Sequence, residues 1–254
     1  MSSRTGGRIQ AIDALRGLCV VLMCCHHFLY DLAAFLGAPW WIFTNPVLDV
    51  LHYFFAGCFI LLSGVSSRFS RSNLRRGGIL LLIALALTAV TWLGDLLGRK
   101  LMGEELGILI VCGVLHMLAV CMLFYGFTHK LWDRLPDRVM VPFCILAVVL
   151  TAKLANGVPI SDPGGIRRFL FPFGFITAGF YSADYFPLFP WLFVFLFGTW
   201  LGEKIRAGKL PERFYTYNVP FFPGVGRHAL LIYVVHQPAL LLLTLGIGAI
   251  FGIL

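Results

Sequence analysis

The sequence predicts an all-α polytopic membrane helix bundle, on three observations. Only 13% of its 254 residues are charged, while 59% are hydrophobic; an ordinary soluble domain is roughly 25% charged. Mean hydropathy is +0.87. Apolar runs near the ~20 residues that a bilayer core requires recur along the chain. The loops between them are too short to fold alone, so residues 1–254 are expected to form a single integral-membrane domain. No linker, low-complexity segment or fixed-period repeat interrupts it.

The first run, Ala11 to Leu36, is long enough to cross a membrane and still carries Asp13, Arg16, His26, His27 and Asp31. Basic residues precede it without a small-residue cleavage pattern, which predicts an uncleaved span and not a signal peptide. Further spans are expected at 47–67, 77–98, 107–126, 139–155, 187–205 and 227–250, about seven in all. The stretch 157–186 is too rich in Pro and Gly to span simply. A re-entrant or interfacial outer segment at 166–182 is expected there, because such backbone is tolerated at membrane depth only where protein or a watery cavity satisfies it. An eighth span hidden in it would move the C-terminus to the other side.

Charge sets the expected orientation. Arg4, Arg8, Arg68, Arg71, Arg75, Arg76, Lys130, Arg134, Arg138, Lys204, Arg206, Lys209, Arg213 and Arg227 fall in alternate loops, while the other loops hold only Arg99, Lys100, Arg167 and Arg168. The positive-inside rule then places the N-terminus in the cytoplasm and, with an odd number of spans, the C-terminus outside. The net charge of +8 therefore speaks for topology and against nucleic acid as a partner.

Cys19, Cys24, Cys25, Cys58, Cys112, Cys121 and Cys144 all lie in apolar runs and form no CxxC pair. They predict neither disulfides nor a thiolate metal site, since free Cys in such runs behaves as a small hydrophobe. The pair Cys24–Cys25 beside His26 and His27 does not change this, because adjacent helix residues point about 100° apart. No metal is expected.

Ionisable groups inside a span are costly and mark functional sites. On a helix, Asp13, Arg16, Val20, Cys24, His27 and Asp31 line one stripe, from which His26 departs. Arg16 and His27 are about 16 Å apart along its axis at 1.5 Å per residue. Asp31, one turn beyond His27, is placed to accept a hydrogen bond from its imidazole and so raise its basicity. In the last span His236 follows Tyr233 by three residues, and Pro238 should kink the helix beside them. His116 is expected near mid-membrane and His52 near the outer end of the second span. A polar cavity along the stripe, walled by Tyr233 and His236 with Asp184 and Tyr185 near its outer mouth, is the expected geometry.

RIQAIDALRGLCVVLMCCHHFLYDL, FAGCFILLSGVSSRFSR, GVLHMLAVCML, DYFPLFPWLFVFLFGTWLG and GRHALLIYVVHQP, in that order, resemble bacterial members of the heparan-alpha-glucosaminide N-acetyltransferase catalytic-domain family (DUF1624) over nearly the whole chain. The Arg16 to His27 spacing is more distantly similar to the acyltransferase-3 signature. The resemblance implies a bacterial inner-membrane enzyme that moves an acetyl group from cytosolic acetyl-CoA, a co-substrate and not a bound cofactor, to a sugar or glycan amine or hydroxyl outside. It implies His27 at the reactive centre. Together with residue spacing and charge, which supply Asp31 and the binding candidates, the catalytic candidates are His27 and Asp31; candidates for holding substrate or CoA are Asp13, Arg16, Arg75, Arg76, His116, Asp184, Tyr185, Arg227, Tyr233 and His236, with arginines suited to phosphates. Two other readings stay open: a secondary transporter or proton-coupled flippase using the same stripe, and a haem protein with axial ligands drawn from His27, His52, His116 and His236.

Overall fold

The computed structural model of the chain describes residues 9–103, 106–161, 165–217 and 219–252; Arg4 and Arg8 lie outside the described residues. The protein is all-α, with helices α1 (Gln10–Phe35), α2 (Pro46–Ser67), α3 (Asn73–Met102), α4 (Val114–Trp132), α5 (Asp137–Thr151), α6 (Trp191–Arg206), α7 (Glu212–Thr216), α8 (Phe222–Arg227) and α9 (Ala229–Phe251). Six helices among the described residues are long and apolar enough to cross a membrane: α1 to α4, α5 with its 3-10 extension to Asn156, and α9. Exposed side chains such as Leu82, Val90, Leu150 and Leu242 are costly against water and suit lipid.

Two expected spans are realised differently. The fourth starts at Val114 instead of 107, because residues 106–113 are irregular and the amides of residues 108–111 are taken by side chains. Asp95 accepts from the N–H groups of Ile108 and Leu109 at 3.1 and 3.0 Å. Thr91 accepts from Ile110, and Ser182 from Val111. The sixth, expected at 187–205, is α6, whose 16 residues reach about 24 Å at 1.5 Å per residue. The segment expected to be re-entrant holds a 3-10 helix, Ile166–Phe173, and strand β2 (Phe175–Ile176), paired in parallel with β1 (Val158–Pro159). No eighth long helix lies there among the described residues.

The described backbone packs as two compact units, one from the described residues up to 62 and from 208 onward, the other from those between 63 and 207. In the first, α1 packs on α8 and α9. Glycines permit the close crossing of α1 and α8: a Cβ on Gly17 would come within 2.1 Å of the Phe222 carbonyl oxygen, and one on Gly226 within 1.9 Å of the Asp13 carbonyl oxygen. Such small-residue contacts are how membrane helices approach without a hydrophobic driving force.

In the second unit α3 packs on α4, and α5 on α6, while Gly64 and Gly202 seat the end of α2 against α6. Arg68, just past α2, donates to Asp133 at the end of α4 at 2.6 Å, to Glu203 in α6 and to the Tyr125 hydroxyl. Lys204 pairs with Asp137 at the start of α5 at 2.6 Å. These pairs bring the ends of α2, α4 and α6 and the start of α5 together at one end of the unit.

Candidate active site in the first unit

The polar stripe of α1 faces protein. Asp13 is 5% exposed, Val20 2% and Asp31 fully buried, while Arg16, Cys24 and His27 are partly buried. Periodicity explains this: these positions recur every three or four residues and fall on the side covered by α8 and α9.

His27 meets the last helix directly. Its ring centroid lies 4.8 Å from that of His236, with the planes tilted by 57°. His236 Nδ1 sits 2.6 Å from the Tyr233 carbonyl, and a carbonyl only accepts, so that nitrogen carries the proton. The neutral ring then presents a lone pair on Nε2. The Tyr233 ring is 5.6 Å from His236, so His27, His236 and Tyr233 form one aromatic group from two helices.

Asp31 has a different partner from the one its spacing suggests. Its Oδ1 accepts from Gln237 Nε2 at 2.8 Å, and among the described residues His27 makes no hydrogen bond to it. The reason lies in α9, which delivers the Gln237 carboxamide to the carboxylate while His27 turns onto His236. Asp31 Oδ2 and Gln237 Oε1 are both buried without a hydrogen-bond partner among the described residues. Buried polar atoms are nearly always satisfied, so this pair has unused capacity to accept.

Arg16 Nη1 donates to Asp13 Oδ1 at 3.0 Å, one turn away. Arg227 ends α8 and is exposed. His26, off the stripe, joins a second group: its ring lies 4.4 Å from His52, 4.9 Å from Phe43 and 5.9 Å from His27. Neither Gln237 nor the His26–His52 contact was singled out by the sequence. A carboxamide in an apolar run just before Pro238 was the available signal for Gln237; nothing local announces the other.

The remaining candidates belong to the second unit. His116 Nε2 lies 3.1 Å from Thr88 Oγ1, whose own proton goes to the Ile110 carbonyl at 2.7 Å, so the imidazole donates there. Asp184 Oδ2 accepts from the Val114 N–H at 3.0 Å at the positive start of α4, where a carboxylate is favoured. The Tyr185 hydroxyl donates to the Phe171 carbonyl at 2.6 Å, and burial raises its pKa above the usual phenol range. Arg75 and Arg76 lie exposed in the first turn of α3, where Ser72 caps the Arg75 N–H and Arg76 donates to the Ser66 carbonyl at 3.4 Å. No group of three or more His, Cys, Asp or Glu among the described residues is placed to hold a metal ion.

The model of one protein family, described as "Heparan-alpha-glucosaminide N-acetyltransferase, catalytic", matches residues 8–238. No curated protein and no solved structure gives a significant match.

Proposed function

The chain belongs to the heparan-alpha-glucosaminide N-acetyltransferase catalytic family, and on that premise we propose that it is a membrane N-acetyltransferase taking its acetyl group from cytosolic acetyl-CoA, with His27 at the reactive centre. The acceptor is a sugar or glycan amine, or a hydroxyl, in which case the transfer is O-acetylation, on the extracytoplasmic side of a bacterial inner membrane. The N-terminus is cytoplasmic and the C-terminus outside, on the charge asymmetry of the loops.

One observation carries this reading: His27, within a membrane helix, stands beside His236 and one turn from a fully buried carboxyl group. An imidazole is the side chain best suited to take a proton near neutral pH. His27 removes a proton from the acceptor as its nitrogen or oxygen attacks the thioester carbon, or carries the acetyl group transiently. Arg16, about 16 Å away along the axis, lies at a depth that a donor entering from the cytoplasm passes first. In the first unit, Arg16 and Arg227 are proposed contacts for CoA phosphates, and Asp13, Tyr233 and His236 are proposed to line the path to His27; in the second unit, taken by itself, Arg75 and Arg76 are proposed phosphate contacts, and His116, Asp184 and Tyr185 proposed substrate contacts. Asp31 supports the centre through Gln237.

The test uses purified protein in proteoliposomes with acetyl-CoA and amino-sugar acceptors. Release of CoA thiol together with acetylated sugar supports the transferase. Movement of sugar across the vesicle without any acyl donor, and no thiol release, replaces it with a transporter.

A further inference from the structure

Acetyl transfer to an amine has a proton to dispose of. At neutral pH the acceptor is an ammonium. As its nitrogen bonds to the acetyl carbon and the carbon–sulfur bond breaks, the nitrogen gives up two protons. One ends on the departing sulfur, because a thiol with a pKa near 8.5 is mostly protonated. The other is a net product and must leave an apolar enclosure.

The first unit contains a row of imidazoles leading away from His27. His27 is 5.9 Å from His26, and His26 is 4.4 Å from His52, centroid to centroid. Each step is short enough for transfer directly or through one bridging water. Asp49 precedes His52 by one turn of α2, is exposed, and interacts electrostatically with His26. Phe43 packs against His26, Tyr53 against His52, and His236 against His27. Asp49 is a charged group at the far end of the row. His26 Nδ1 is buried with no hydrogen-bond partner among the described residues, which leaves it able to exchange a proton.

We propose that His26 and His52 form a proton relay that carries the net proton of acetyl transfer from His27 to the exposed carboxylate of Asp49. His26 passes the proton on as it receives one from His27, and His52 hands it to Asp49 and to water beyond. The relay rests on His27 standing at the reactive centre.

The experiment compares full-length wild type, His52→Phe and His52→Asn in proteoliposomes, with acetyl-CoA and a panel of amino sugars, in the presence and absence of added imidazole. The expected result is a fall in kcat of at least ~10-fold for both variants, KM for acetyl-CoA within about twofold, and recovery of most of the loss with imidazole, to which wild type is indifferent. A variant that turns over like wild type, or one whose loss imidazole does not repair, overturns the relay. A wild-type protein that releases no thiol with any amine acceptor overturns instead the transferase reading on which the relay depends.

Discussion

Gln237 donates a side-chain N–H to Oδ1 of Asp31 at 2.8 Å, joining residues 206 positions apart. This contact links α1 to α9 beside the His27–His236 pair. The second oxygen of each group, Asp31 Oδ2 and Gln237 Oε1, is an acceptor buried without a hydrogen-bond partner among the described residues. Replacing Asp31 with Asn keeps an acceptor for Gln237 and removes a buried carboxyl group. Asp31→Asn is therefore expected to fold at least as stably as wild type. Gln237→Ala, which strips a fully buried carboxyl group of its donor, should cost about 1–3 kcal/mol. Thermal unfolding in detergent measures both, and an Asp31→Asn protein that is markedly less stable contradicts the pairing.

Glycines at the α1–α8 crossing supply a second test. Gly226→Ala would drive a methyl to within 1.9 Å of the Asp13 carbonyl oxygen, backbone that cannot step aside. Loss of folded protein is expected, read as aggregation on size exclusion. Gly224→Ala in the same helix meets nothing nearer than the Arg227 guanidinium at 4.0 Å and should be neutral or stabilising by up to about 1 kcal/mol. Equal outcomes for the two would contradict the crossing.

Arg68 binds three helix ends in the second unit. Burial alone would lower its pKa, but hydrogen-bonded Asp133, with Tyr125 and Glu203, outweighs that and holds it above the ordinary arginine value. For a base raised in the folded state the stabilisation is fully present below the unfolded pKa and lost only as pH rises through the folded one. No alkaline loss of stability is expected from it up to about pH 10, well below the arginine range. Arg68→Ala leaves two partly exposed carboxylates facing each other and should lower stability by about 1–3 kcal/mol, measured by thermal unfolding at pH 7 and pH 9.

Cys112 gives a chemical test of the irregular 106–113 segment. Burial, with a smaller contribution from the Asp184 charge, pushes its thiol up to about 12. Thiolate is the reactive species, so maleimide at pH 8 should label Cys112 only after unfolding, as resolved by peptide mass spectrometry. Rapid labelling of the native protein would show the segment to be open.

Much of the fold is legible in the sequence because a bilayer imposes one strong rule, that backbone polar groups be satisfied within each span. Runs of about 20 apolar residues located α1, α2, α3, α5 and α9 to within a few positions. The start of α4 was not legible: residues 107–113 are as apolar as a helix, and only Asp95, Thr91 and Ser182, distant in sequence, divert their amides. The stripe on α1 was legible from helical periodicity, and so was the approach of His236 to it. The Asp31–Gln237 bond, the His26–His52 contact and the Arg68 cluster were not, since each joins residues from different helices and local spacing says nothing of such partners.

The central claim is that His27 performs the acetyl transfer. Its most direct test is acetyl transfer from labelled acetyl-CoA to amino sugars by His27→Ala and wild type, each confirmed folded by its melting temperature. The expected result is loss of kcat by at least ~100-fold, the usual scale for removing a general base, with unfolding temperature little changed. A folded His27→Ala protein that transfers acetyl groups at the wild-type rate would contradict the account.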